Sequence, residues 1–252
     1  RQISIRWLVP LLLGGLALAA GWRLAEAQSG RLRISYLNVG QGDSALIQGP
    51  DGFDILVDGG DTDVGPTVVA YLAQAGVTEL EVVLASHNDA DHIGGLVDVL
   101  QAGIPVGQVY YNGYPSESDL FAEFATAAAM AGAPLQPANY PAGYTWGSSQ
   151  ASILHPLPGA TGTPDQNNLS VVALLAYGSQ RFLFPGDLEA AGEAELLARA
   201  TPPPALALKV GHHGSDTSTS PEFLAAVQPS EAVISVGGDN PFGHPDPTVI
   251  AR

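Results

Sequence analysis

No cysteine occurs among the 252 residues, which excludes disulfide bridges, thiolate metal ligands and a cysteine nucleophile. Positive charge is also scarce: Lys and Arg number 9 against 25 Asp and Glu, for a net charge of -16. Beyond Ala27 the only basic residues are Arg31, Arg33, Arg181, Arg199, Lys209 and Arg252. The sequence therefore has no basic stripe that could hold nucleic acid by neutralising phosphates. A Gly-x-Ser-x-Gly nucleophile elbow and a Gly-x4-Gly-Lys-Ser/Thr phosphate loop are likewise missing. What is present is globular, with 46% apolar and 13% charged residues, and long enough for one fair-sized core.

Residues 7–22 form an uncharged apolar run with Trp at both edges, flanked by Arg1, Arg6 and Arg23. Three readings fit: a short membrane-spanning helix, the last helix of a longer membrane protein, or a secretory signal peptide with Ala25-Glu-Ala27 as its cleavage site. Under the membrane readings the basic residues put residue 1 inside and residue 30 onward outside. The expected organisation is a membrane helix or signal-like segment over 1–28 and one domain over 31–252. Thr248-Val-Ile-Ala-Arg252 reads as the start of a helix, so this domain is expected to be truncated at its C-terminus.

From Arg31 the pattern is short strands and turns. Residues 31–36 alternate with period two, and 44–48 with 53–58 read as a hairpin around Pro50-Asp-Gly52. Residues 64–75 fit a helix, 81–86 a buried strand, 93–102 a helix and 106–112 a strand. Ser116 to Asp119 caps a helix running to about Ala131. Residues 132–149 are rich in Pro and Gly and read as irregular. The second half follows the same pattern, with a strand over 151–155, a hairpin from 169–178 and 180–184, and a helix to about Ala200. A strand over 205–210, a short helix from Pro221 and a strand over 232–237 follow. Two similar α/β halves predict two packed sheets with helices outside.

Four apolar strands end abruptly in polar clusters: Asp58-Gly-Gly-Asp61, His87-Asn-Asp-Ala-Asp-His92, Pro185-Gly-Asp187 and Gly211-His-His-Gly-Ser215. A rigid sheet presents ligands in this way at one edge. His87, Asp89, Asp91 and His92 suit borderline divalent ions such as zinc or manganese. In a loop, residues 87 and 89 could point one way while 91 and 92 turn back, so two ions could share it. Gly94 and Gly95 would let the next helix pack close. Asp187 is either a carboxylate bridging two ions or the N-cap of the following helix. Adjacent His212 and His213 cannot easily serve one ion from an extended strand; one is a ligand, and the other orients substrate, binds the second ion or supports a ligand. Asn168 is a weak ligand, a phosphoryl contact or a turn residue. Asp58 holds a ligand imidazole or closes its turn. His244 overhangs the site or is an ordinary loop residue, and His155 is structural. Asp43 shapes the site floor, and Ser215 lies by the substrate or supports the ligands. Asp91 and His213 are expected to take part in catalysis as well as metal binding. Two ions would bind an anionic substrate, supply a hydroxide and stabilise a leaving oxygen, which makes hydrolysis at phosphorus the economical expectation.

This ordered set, HxDxDH at 87–92, Gly186-Asp187 and His212-His-Gly-Ser215, resembles the metallo-β-lactamase fold hydrolases. Within them it looks most like the C-terminal domain of ComEC-type DNA-internalisation competence proteins. Residues 37–52, 56–60, 86–95, 168–178, 184–189, 208–220 and 236–247 carry the likeness. The resemblance implies a four-layer αβ/βα sandwich, here preceded by one apolar N-terminal helix, with the site at the shared edge of two sheets. His87 and Asp89 would bind one divalent ion and Asp91 and His92 the other, with Asp187 bridging and His212 or His213 completing a shell. It implies a nuclease acting on the DNA strand that is not imported, on the outer face of a bacterial cell membrane, attached through residues 7–22 to an upstream channel domain. A secreted hydrolase of a small phosphodiester and a non-catalytic docking module of a DNA-transport machine are the alternatives. Most relatives carry His where Asp89 and Asn168 stand. The site here is richer in oxygen ligands, which admits Mn2+ as well as Zn2+.

Overall fold

The computed structural model describes residues 30–138, 140–158, 165–199 and 201–252. The apolar run 7–22 lies outside the described residues, and among these no helix is long and apolar enough to cross a membrane.

Among the described residues twelve strands form two six-stranded sheets. The first holds β1 (Arg33–Tyr36), β2 (Ala45–Gln48), β3 (Asp54–Val57), β4 (Leu80–Leu84), β5 (Val106–Tyr111) and β6 (Gln136–Pro137), in chain order. The second runs from β12 (Glu231–Val233) through β11 (Ala207–Lys209), β10 (Gln180–Phe184), β9 (Val172–Tyr177) and β8 (Ser149–His155) to β7 (Ala142–Trp146). Helices α1 (Gly65–Gln74), α2 (Ala90–Gln101) and α3 (Asp119–Met130) accompany the first sheet, and α4 (Ala190–Arg199) and α5 (Pro221–Val227) the second. A short α6 (Pro247–Ala251) follows.

The period-two pattern explains the layering. Ile47, Ile55, Val57, Val82 and Leu84 of the first sheet face Ala151, Ile153, Ala173, Leu175 and Phe184 of the second across the central core. Their neighbours Leu46, Leu56 and Val83 point the other way, against Val68, Leu72, Ile93, Leu96 and Phe124 of α1 to α3. Val172, Leu174 and Leu183 do the same toward Leu196, Phe223 and Val227 of α4 and α5. Side chains alternate across each strand, and both faces of each sheet are covered, so the strands read as continuous apolar runs. The four-layer α/β sandwich implied by the motifs is the fold observed.

The β2–β3 hairpin pairs Ile47 with Ile55 as its turn residues dictate, and Ser118 caps α3 by accepting from the Phe121 amide at 3.2 Å. Residues 132–149 are less irregular than their composition predicts, because they contain β6 and β7. Their strand signal is tertiary. β7 is paired along its length by β8, and Tyr144 and Trp146 stack on each other and pack at a tilt against Tyr110 of β5. The second difference is where α2 begins. It starts at Ala90, inside the His/Asp motif and not at Ile93, because the Asp89 carbonyl accepts from both the His92 and Ile93 amides. Asp91 and His92 therefore stand on a helical turn, while His87 stays on the loop.

Candidate metal centre

The β3–β4 and β10–β11 pairs are parallel. Parallel neighbours end at the same edge, which is why Asp58, His87, Asp187 and the 211–214 turn come together. The ends are then locked by main-chain bonds. Asp58 donates its amide to Leu84, Gly59 to His92, Gly60 to Asp43, and Asp43 to Asp91, at 2.7 to 3.1 Å. The glycines of the motif do what their position suggests: a Cβ at Gly95 would lie 2.1 Å from the Gly59 oxygen, and one at Gly94 2.4 Å from the Thr62 nitrogen. Only glycine lets the first turns of α2 rest on the Asp58-Gly-Gly turn.

The imidazoles are oriented from behind. Asp58 receives the Ser86 amide on Oδ1 at 2.7 Å and lies 3.0 Å from His92 Nδ1 through Oδ2. The Ser86 hydroxyl lies 3.1 Å from His87 Nδ1 and 3.3 Å from His92 Nδ1. His213 Nδ1 lies 3.0 Å from the Ser235 carbonyl. With the Nδ1 atoms so engaged, the Nε2 atoms of all three rings point inward. His92 Nε2 and His213 Nε2 approach Asp187 Oδ2 at 3.3 and 3.1 Å, and His213 Nε2 lies 3.1 Å from Asp91 Oδ2.

Among the described residues four trios have ligand atoms within 4.8 Å of one another: His87, His92 and Asp187; Asp91, His92 and His213; Asp43, Asp58 and His92; and Asp43, Asp187 and His213. The Nε2 atoms of His87, His92 and His213 are buried and make no aligned hydrogen bond, meeting only carboxylate oxygens at 3.1 Å or more. Each such atom costs about 1–3 kcal/mol when left unsatisfied. Three in one spot, beside carboxylates, suit divalent cations of the zinc or manganese type.

The electrostatics agree. Burial alone would raise the Asp187 carboxyl, but His92, His213 and Lys209 outweigh it and hold it well below the usual range. Burial would lower the His92 and His213 imidazoles. Asp187 and Asp58 raise the first well above its ordinary value, and Asp187, Asp43 and Asp91 raise the second to about 10. This cluster of carboxylates draws in positive charge of any kind.

The remaining expected residues take distinct places. Asp89 is the N-cap residue of α2; its side chain is 46% exposed, with Oδ2 3.6 Å from His87 Nε2. His212 and His213 both adopt left-handed backbone, at φ 46° and 52°, which is uncommon and costly outside glycine and clusters at functional sites. That turn sends His213 inward and His212 to the rim, where its side chain is 23% exposed and its Nε2 lies 3.9 Å from Asp187 Oδ2. Asn168 is engaged by α4 and the turn before it: its amide donates to Glu189 at 3.2 Å and its oxygen accepts from the Gly192 amide at 3.0 Å. The Ser215 hydroxyl pairs with Thr217 at 2.9 Å. His244 overhangs His212, with ring centroids 5.8 Å apart.

Two contributors carried no sequence expectation. Lys209 is buried and ion-paired with Asp43, with its Nζ 3.6 Å from Asp187 Oδ1. Its signal was a lone lysine at the end of an apolar strand, just before Gly211-His-His-Gly. Glu189 receives the Thr217 hydroxyl at 3.0 Å and lies 3.4 Å from His212 Nδ1.

The model of the metallo-beta-lactamase superfamily matches residues 37–238. Curated relatives include "ComE operon protein 3" of Bacillus subtilis (strain 168), 29% identical over 86% of this chain and 30% of that protein. "Competence protein ComA" of Neisseria gonorrhoeae is 31% identical over 100% of this chain and 33% of that protein. The chain thus spans about a third of the length of these relatives. Among solved structures, the metallo-beta-lactamase fold protein YhfI from Bacillus subtilis superposes with a TM-score of 0.55 at 13% identity, covering 83% of this chain and 88% of that one. The sandwich, its ligand-bearing strand ends and a match spanning most of the described residues converge: the chain belongs to the metallo-beta-lactamase superfamily.

Proposed function

We propose that this chain is a metal-dependent phosphodiesterase that cuts single-stranded DNA during bacterial DNA uptake. Family membership supports a metal-dependent hydrolase in general, and two relatives are competence proteins by name or operon. The observation that carries the reading is the convergence of three buried Nε2 atoms, none making an aligned hydrogen bond, with those of His92 and His213 at 3.3 and 3.1 Å from Asp187.

In this reading Asp91, His92 and His213 would hold one ion, His87 and Asp89 would hold the other, and Asp187 would contribute to either. Zn2+ and Mn2+ both suit the donors; Asp89 and Asp91 favour the harder Mn2+. Bound ions would supply Lewis-acid stabilisation of phosphoryl charge and acidify a water molecule. The protein supplies the rest. Asp58 and Ser86 fix the rings, and Lys209 balances Asp43 and Asp187 from below. Asp91, whose side chain is 27% exposed, presents a carboxylate to the substrate side and accepts the proton of the attacking water. His212 at the rim faces the leaving oxygen. Two cations would also offset part of the chain's net charge of -16, and basic charge for a longer strand comes from outside this chain. The apolar run 7–22 joins the domain to the membrane and to an upstream channel domain, with the hydrolase on the outer face.

The test is cleavage of a single-stranded oligonucleotide by the purified chain. Activity is expected to vanish in EDTA, return with Mn2+ or Zn2+, and be absent in Asp187→Ala. Metal-loaded protein that cleaves no phosphodiester would refute the reading, as would an Asp91→Ala variant with unchanged metal content and activity.

A further inference from the structure

The loop between β12 and α6, residues 234–246, carries a feature that the ligand cluster does not use. Phe242 is 64% exposed, a large apolar ring with no core to fill. It stacks on His244, with ring centroids 5.7 Å apart and planes 19° apart. His244 meets His212 edge-on at 5.8 Å, and His212 meets His213 at 6.1 Å. A row of rings therefore runs from solvent to the imidazole facing Asp91 and Asp187.

The loop is built to hold that row. Asn240 accepts from the Phe242 and His244 amides at 3.1 Å and donates to the Gly237 and His244 carbonyls at 2.7 Å. Asp246 donates its amide to Gly214 at 2.8 Å, and a Cβ on Gly214 would lie 2.7 Å from Pro245 Cβ. The loop is thus pressed against the His212-His213 turn. An exposed ring on a preorganised loop is a binding face whose ordering cost is already met. Such a face suits this surface. The chain lacks the basic charge that grips phosphates, whereas base stacking on an aromatic ring needs none.

We propose that Phe242, backed by His244, is a base-stacking site that receives an unpaired nucleobase beside the phosphodiester presented to the ligand cluster. The proposal rests on the phosphodiesterase reading and adds the group that selects single-stranded over duplex nucleic acid, because a base held in a duplex cannot reach the ring.

The test uses a single-stranded oligonucleotide carrying 2-aminopurine, whose emission falls on stacking, titrated with the metal-free and Mn2+-loaded chain. The wild type is expected to quench the probe. Phe242→Ala should bind it roughly 5- to 100-fold more weakly without quenching, while Phe242→Trp retains both. Circular dichroism and metal content should be unchanged in each variant, and an abasic strand should be bound equally by wild type and Phe242→Ala. The proposal is overturned if the wild type gives no quenching, if Phe242→Ala quenches like the wild type, or if the abasic strand suffers the same loss. Failure of the two readings is distinguishable. Quenching without cleavage leaves the stacking site and removes the phosphodiesterase. Cleavage with Phe242→Ala unaltered in KM and quenching does the reverse.

Discussion

The floor and the rim of the site are built on opposite terms. On the floor, Asp43, Asp58, His92, Asp187, Lys209 and His213 are all buried and tied to one another by charge. At the rim, Asp89 and His212 are partly exposed, and Phe242 and His244 sit on a loop. Burial makes floor interactions strong and their loss severe, because a partner left behind is an uncompensated buried charge. The rim groups assigned no ion, His212, His244 and Phe242, are hydrated when unpaired, so their loss is mild and falls on substrate handling.

Substitutions can break that contrast. The largest effect is expected for Asp187→Ala: kcat/KM falls more than about a thousandfold, or about 4 kcal/mol, and metal analysis shows fewer bound ions. Next comes Lys209→Met, which leaves Asp43 and Asp187 facing each other. Urea unfolding of the metal-free protein should show a loss of about 3–5 kcal/mol, part of which Asp43→Asn restores in the double variant. Asp58→Asn removes the charge that orients His92 and should weaken metal binding by about 10–100-fold, measured by calorimetry. The smallest effect sharpens the contrast. His212→Ala should keep full metal content and lose about tenfold in kcat, since rim residues act on proton transfer or positioning, whereas His213→Ala loses metal. A His212→Ala protein depleted of metal would erase the distinction between floor and rim.

Most of the architecture was legible because each strand declares itself locally. Ile55 and Val57 share one apolar face with Leu56 on the other, Val172 and Leu174 do the same around Ala173, and Asp-Gly or Pro-Gly turns punctuate the strands. β7 was not legible, since Gly143 and Tyr144 become a strand only through β8 and Tyr110. In the site, the ligand types and their order were visible in the HNDADH and HHGS stretches. Three things were hidden. The helix begins at Ala90 because of a main-chain bond to Asp89, which no side chain advertises. The left-handed backbone that turns His213 inward and His212 outward falls on two non-glycine residues, which their types do not announce. Lys209 reads as one strand residue among apolar ones, and becomes part of the floor only when Asp43, far away in the chain, folds against it.

The central claim is most directly tested by one titration: Mn2+ added to the chelator-treated chain while bound metal and cleavage of a single-stranded oligonucleotide are followed together. The account predicts two ions per chain, cleavage that rises with their occupancy, and loss of both in Asp187→Ala. Two bound ions with no cleavage, or cleavage that persists in excess chelator, would contradict it.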